Sequence, residues 1–207
     1  MSFSDHAWPG AIDLSPRPGI GQATVLAFVR AGCTRLCLVD LNAKGLEETR
    51  RQITEINPDV KVNLAAGNIT KVDFVEGFVN ATVEKFGRLD YGVNAAGTIG
   101  PWANSQELKL EDHDRVMDVN YRGTFLCARA EVRAMLKNEP SGPDDIPGQR
   151  GAIVHIASGL ASVGRQGARE YSGPPDLCVP PCLNMLTEDC DSRILRLERC
   201  RRATCTS

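Results

Sequence analysis

The strongest constraint on the fold is a regular alternation of helical and strand patterns between residues 21 and 158. The helical patterns cover residues 21–31, 42–56, about 70–86 and 108–137. The strand patterns cover residues 35–40, 60–64, 89–94 and 152–158, with a weaker run at 11–14. Strands separated by single helices are joined by right-handed crossovers, which bring the strands side by side in parallel. The chain is therefore predicted to form an α/β fold with a doubly wound parallel sheet.

Several helix boundaries can be predicted from local chemistry. Gly32 follows the first helical pattern and is expected to cap its carboxyl end. Ile56 is expected to share a buried face of the second helix with the apolar residues before it. Thr70 and Asp73 have the spacing of a capping box, which predicts that they start the third helix.

In a doubly wound sheet, ligands bind beyond the carboxyl ends of the strands. The side chains predicted to lie there are Asp40, Asn68, Asn94 and Ser158. These four positions are the first candidates for a functional site.

A glycine-rich turn, formed by Gly19, Ile20 and Gly21, directly precedes the first helix. Glycines at such a turn let the backbone approach a pyrophosphate, and the helix terminus supplies N–H groups and a positive dipole. Asp40 follows Gly21 by 19 residues, close to the spacing of an acid that binds a ribose 2′-hydroxyl. A carboxylate there repels a 2′-phosphate, so NAD is favoured over NADP. An ordinary turn and a loop-capping acid are the structural alternatives.

Four ordered motifs between about Gly19 and Tyr171 resemble the short-chain dehydrogenase/reductase family. Residues 93–97, VNAAG, are similar to the family motif after the fourth strand, and place Asn94 beside the cofactor. Residues 67–70, GNIT, resemble the motif that lies against the adenine, with Asn68 in place of an aspartate. The resemblance implies a Rossmann-like fold and an NAD(P) cofactor.

The other two motifs resemble the catalytic segments of the family. Residues 118–125, DVNYRGTF, match a segment whose asparagine is catalytic, here Asn120; Arg122 is either near the cofactor or on a solvated helix face. Ser158 and Tyr171 are separated by 13 residues, as in the catalytic pair of the family. The resemblance implies that Tyr171 exchanges a proton with the substrate oxygen and also contacts the cofactor. Ser158 would orient that oxygen, and Asn120 would position a water.

The implied activity is hydride transfer between NAD(P) and a small-molecule alcohol or ketone. A Pro/Gly-rich stretch at residues 138–151 resembles that of fungal members, many of which serve secondary metabolism. The sequence departs from the family at Pro175, which stands where a catalytic lysine is usual, and at Ser15, Pro16 and Pro18 in the glycine-rich motif. An inactive truncated homologue or a non-catalytic binding protein is therefore the alternative function.

The resemblance ends near residue 172, which divides the chain into an incomplete dinucleotide-binding domain at 1–172 and an atypical tail at 173–207. Five of the eight cysteines lie in this Cys/Arg/Pro-rich tail. Their spacing contains no C-x-x-C pair and the tail has no histidine, so a structural zinc site is not favoured. We hypothesise that the chain is truncated or frame-shifted after Tyr171, which would leave the α/β fold incomplete at its C-terminus.

Composition narrows the compartment and the partners. The formal charge of −2 gives no reason to expect nucleic acid or an anionic membrane as a partner. The first residues lack the pattern of a secretory signal, and no apolar run is long enough for a membrane span. We expect a cytoplasmic protein with a small-molecule substrate and no bound metal. A homo-oligomer remains an open alternative.

Overall fold

The computed structural model describes residues 11–13, 19–104, 106–140 and 148–158. Its strands are β1 (Ala11–Asp13), β2 (Arg35–Asp40), β3 (Lys61–Ala66), β4 (Tyr91–Asn94) and β5 (Ala152–His155). Its helices are α1 (Ile20–Arg30), α2 (Ala43–Ile56), α3 (Val72–Phe86), α4 (Leu110–Met117) and α5 (Thr124–Met135). A π-helical segment, Asp118–Gly123, joins α4 to α5.

The five strands form one parallel sheet in the order β3-β2-β1-β4-β5. The chain therefore winds outward in one direction from β1 to β3, and in the other direction from β4 to β5. This order confirms the predicted doubly wound sheet. It also places the topological switch between β1 and β4, where such sheets bind their ligands.

Two apolar cores cover the two faces of the sheet. Along β2, Leu36 and Leu38 point toward the core formed with α1 and α2, whereas Cys37 and Val39 point toward the core formed with α3 and α5. All four side chains are buried. A strand covered on both faces must be apolar at every position, which explains the continuous apolar run read from the sequence.

The carboxyl end of α1 is built as predicted. Gly32 has a φ of +96°, its N–H donates to the carbonyl of Val29, and the N–H of Cys33 donates to the carbonyl of Phe28. These two bonds form a Schellman motif, which needs a left-handed residue at this position. The glycine thus sets the direction in which the chain enters β2.

Three local predictions are wrong. Thr70 and Asp73 do not cap α3: the N-cap is Lys71, and the N–H of Thr70 is instead bound by the side chain of Asn68. Ile56 is the last residue of α2 and is 38% exposed, so it does not belong to the buried face of the helix. The helix predicted over 108–137 is interrupted by the π-helical segment, which periodicity alone does not resolve.

Candidate active site

The carboxyl ends of the strands form the edge at which the predicted site residues collect. Asp40 ends β2, Asn68 follows β3 by two residues, and Asn94 ends β4. Ser158 follows β5 by three residues and is half-buried. Because the strands are parallel, these positions share one edge of the sheet.

The amino terminus of α1 follows β1 in the chain. Gly19 is its N-cap and, having no side chain, accepts no hydrogen bond from the first turn of the helix. Gly19 and Ile20 are exposed, whereas Gly21 is buried. The start of a helix carries N–H groups without intrahelical partners and a positive dipole, which together favour an anionic ligand. Ser15, Pro16 and Pro18 lie outside the described residues.

Asp40 is held by a turn at the end of β2. Its Oδ1 accepts a hydrogen bond of 2.6 Å from the backbone N–H of Asn42, and the side chain of Asn42 in turn caps α2 through the N–H of Gly45. The carbonyl of Asp40 accepts from the N–H of Gly67. These contacts fix the half-buried carboxylate next to the end of β3.

Asn68 and Arg122 meet at one residue, Thr70. The Oδ1 of Asn68 accepts from the Thr70 N–H at 2.9 Å, and the guanidinium of Arg122 donates to the Thr70 carbonyl at 2.6 Å. Both side chains are exposed. Arg122 therefore ties the π-helical segment to the loop that follows β3, rather than projecting freely from a helix face.

The side chain of Asn120 binds the backbone of Thr98 at both ends. Its Oδ1 accepts from the Thr98 N–H at 2.8 Å, and its Nδ2 donates to the Thr98 carbonyl at 2.9 Å. The π-helical segment places this amide against the loop that contains Gly97, where a Cβ would lie in ordinary contact with Oδ1 at 3.5 Å. The predicted catalytic asparagine thus fixes the loop after β4.

Asn94 faces the interior of the protein. Its side chain is 4% exposed, and its Nδ2 donates to Oε2 of Glu131 at 2.9 Å. Glu131 is fully buried on α5. Burial raises the pKa of its carboxyl to about 7, although the hydrogen bond from Asn94 lowers it in part. Sequence reasoning missed Glu131, because a glutamate within a helical pattern is typical of a solvated face. The signal available was Gly92, which leaves space on β4 for a large neighbour.

His155 is the other polar residue that the sequence did not single out. It lies on β5 as the register partner of Asn94. Burial lowers the pKa of its imidazole to about 4, so the ring is neutral at physiological pH. Tyr171 lies outside the described residues, as do the cysteines of the tail. Within the described part, no cluster of three or more His, Cys, Asp or Glu side chains could hold a metal ion, and no helix is long and apolar enough to cross a membrane.

Comparison with known proteins adds to this geometry. Residues 16–173 match the family model described as short chain dehydrogenase. The chain belongs to this family. As a short-chain dehydrogenase, it is 35% identical over 160 residues to a chanoclavine-I dehydrogenase of Penicillium roqueforti, covering 74% of this chain and 61% of that protein.

Solved structures of short-chain dehydrogenases superpose on the same part of the chain. The crystal structure of levodione reductase has a TM-score of 0.71 and 26% identity, over 81% of this chain and 61% of that one. A 3-oxoacyl-[acyl-carrier protein] reductase of Brucella melitensis in complex with NAD has a TM-score of 0.69 and 27% identity, over 81% and 62%. This short-chain dehydrogenase thus spans about three fifths of the length of these relatives.

Proposed function

We propose that this chain binds a nicotinamide dinucleotide and belongs to an oxidoreductase that interconverts an alcohol and a carbonyl group on a small molecule. The observation that carries the proposal is the arrangement at the switch point of the sheet. The start of α1, whose N-cap is a glycine, and the carboxylate of Asp40 lie after neighbouring strands, β1 and β2. This pairing fits a pyrophosphate and an adenosine ribose.

The preferred nucleotide in this proposal is NAD. The side chain of Asp40 is fixed by Asn42, so it cannot turn away easily from a ribose bound at the end of β2. A carboxylate accepts hydrogen bonds from ribose hydroxyls and repels a 2′-phosphate. Asn68 lies in the loop after the adjacent strand, β3, and Arg122 bonds the same loop at Thr70. We assign both side chains to the adenine side of the site.

The reaction would take place where β4 and β5 end. When bound, the nicotinamide supplies or accepts the hydride. In our proposal, Ser158 orients the substrate oxygen and Tyr171 exchanges a proton with it. The oxygen and the nitrogen of the Asn120 side-chain amide both bond the backbone of Thr98, so in our proposal this side chain holds the loop after β4 in place.

The proposed substrate is a small alcohol or ketone, and the fungal relative named chanoclavine-I dehydrogenase favours a secondary metabolite. A cytoplasmic location is part of the proposal. Cys37, within the described part of the chain, is buried as a free thiol, which suits a reducing compartment. The alternative is binding without turnover, which Pro175 at the position of the usual lysine favours.

Nucleotide titration of wild type and Asp40→Ser tests the proposal. We expect wild type to bind NADH about tenfold or more tightly than NADPH, equal to about 1.4 kcal/mol. Asp40→Ser should bring the two dissociation constants close together, because the carboxylate that repels the 2′-phosphate is gone. Asp59→Asn, which neutralises an exposed aspartate outside the site, should keep the wild-type preference.

The outcomes separate the two functions. Binding together with substrate-dependent oxidation or reduction of the nicotinamide supports the enzyme, and saturable binding without turnover supports the binding protein. If wild type binds neither nucleotide, both forms of the proposal fail.

A further inference from the structure

Glu131 occupies an unusual place for an acid, because it lies between α5 and the sheet. Its side chain is fully buried. Gly92 on β4 provides the space: a Cβ there would lie 2.7 Å from both Cδ and Oε2 of Glu131. The carboxyl group therefore packs directly against the backbone of β4.

Other buried polar atoms lie on the same face of the sheet as this carboxyl. Asn94 Nδ2 donates to Glu131 Oε2. Among the described residues, Glu131 Oε1, Asn94 Oδ1 and both ring nitrogens of His155 are buried without a hydrogen-bond partner. Asn94 and His155 are register partners on adjacent parallel strands, which lie about 4.8 Å apart. Their side chains therefore lie on the same face of the sheet. Buried polar atoms in native proteins are paired, often through an internal water.

The donors and acceptors of this group balance when Glu131 is protonated and His155 is neutral, and they balance again when both groups are charged. Asn94 Oδ1 can only accept, and a neutral imidazole offers one donor and one acceptor. A protonated Glu131 adds a second donor, which gives two donors for two acceptors. An ionised Glu131 beside a neutral His155 would leave three acceptors for one donor. Burial favours the uncharged state of the two, since it raises the pKa of Glu131 to about 7 and lowers that of His155 to about 4.

No other ionisable side chain described in this region adds a hydrogen-bond donor or acceptor to this group. β4 contributes Gly92 and Asn94, which are neutral. One turn before Glu131, α5 contributes the thiol of Cys127, which belongs to the apolar core. Arg133, two residues further along α5, is exposed and faces Glu76 of α3 at 3.6 Å.

We propose that Glu131 and His155 are positioning residues that, with Asn94 and an internal water, form an uncharged hydrogen-bonded cluster fixing the carboxyl ends of β4 and β5. The location gives this cluster its importance. Asn94 ends β4, where the proposed reaction takes place, and its carbonyl accepts from the N–H of Ile156 at 2.9 Å, which extends the pairing beyond β5. Ser158 lies two residues further on. The role of these strand ends in nucleotide binding rests on the proposed function.

Amide hydrogen exchange in Glu131→Leu and Glu131→Gln tests the proposal. Leucine fills similar space but cannot bond to Asn94, so exchange in residues 93–98 and 154–158 should rise about tenfold or more. Glutamine accepts and donates as a protonated carboxyl does, so Glu131→Gln should stay within about twofold of wild type. Where nucleotide binds, NADH affinity should follow the same order.

The other member of the cluster supplies an independent pair of variants. His155→Asn keeps one donor and one acceptor, whereas His155→Leu keeps neither. Only His155→Leu should raise exchange at the strand ends. This pair also decides the question if Glu131→Leu fails to fold. Glu84→Gln, at an exposed position on α3, is the control.

Infrared spectroscopy reports the protonation state directly. Slightly below neutral pH, wild type should show the carbonyl band of a buried carboxylic acid, and Glu131→Gln should lack it. Absence of that band, exchange unchanged in both leucine variants, or equal damage from Gln and Leu at 131 would each overturn the proposal. Unchanged NADH affinity in Glu131→Leu would also overturn it. If wild type binds no nucleotide, the proposed function fails, and the exchange and infrared results decide the inference alone.

Discussion

Glu131 makes stability depend on pH in a direction opposite to that of an ordinary carboxylate. Unfolded, its pKa is near 4.5; folded, burial raises it to about 7. Between these values the folded state holds the extra proton, so the free energy of unfolding falls as pH rises. The contribution is fully present below pH 4.5, and its loss by pH 7 amounts to about 3 kcal/mol.

His155 acts in the opposite direction on the same face of the sheet. Burial lowers its pKa from 6.5 to about 4, so the unfolded state binds the extra proton in that range. Stability contributed by a neutral His155 therefore rises with pH between about 4 and 6.5. In wild type the two effects largely cancel over the range that they share.

The prediction is that Glu131→Gln restores an upward slope. Glutamine does not titrate, so the variant should gain stability relative to wild type as pH rises from 5 to 7, by about 2 kcal/mol. Urea unfolding at several pH values, followed by circular dichroism, measures this difference. A constant difference between the two proteins across that range would contradict it; Glu84→Gln should run parallel to wild type.

At the scale of elements, two glycines with open space around them play opposite roles. Gly32 ends α1 at a φ of +96°, whereas Gly77 lies within α3; at neither position would a Cβ meet another atom within 4 Å. The effect of an added methyl group is therefore set by the backbone at both sites.

Alanine at these two positions should change stability in opposite directions. Gly32→Ala should cost about 1 kcal/mol, because an L-residue is strained in the left-handed region. Gly77→Ala should stabilise the protein by about 0.5–1 kcal/mol, because alanine favours a helix interior. Thermal unfolding of the two single variants measures both, and a shift of Tm in the same direction would contradict the assignment of Gly32 as the helix cap.

The elements also show what sequence could and could not predict. The Schellman glycine and the buried run of β2 follow from local chemistry and were predicted. The start of α3 was wrong because Asn68, on the preceding loop, takes the N–H of Thr70. The buried role of Glu131 depends on Gly92, which is 39 positions away in the sequence, and only the packing of α5 on β4 brings the two together. Asp40 and Ser158 fall at strand ends as expected, but their roles remain predictions.

At the scale of the whole molecule, one sheet separates two cores, and each core relies on the same strands. Leu38 of β2 is fully buried against α1 and α2, whereas Leu110 at the start of α4 is 75% exposed. Stability should therefore depend strongly on the first leucine and weakly on the second.

Leu38→Ala should lower the free energy of unfolding by about 2–5 kcal/mol, since it removes buried apolar atoms and leaves a cavity in their place. Leu110→Ala, the matched substitution, should change it by about 0.5 kcal/mol or less. Chemical denaturation of both variants measures the contrast. Similar losses at the two positions would mean that the core on this face of the sheet is not packed as described.

The contact between Gly92 and Glu131 also determines the order in which substitutions at these two positions can be accepted. A side chain cannot be added at 92 while the carboxyl lies 2.7 Å from where its Cβ would be. A shorter or absent acid at 131 must come first, and that step alone removes the partner of Asn94. The two positions are therefore epistatic: each single replacement is costly, and a compensated pair is reached through position 131.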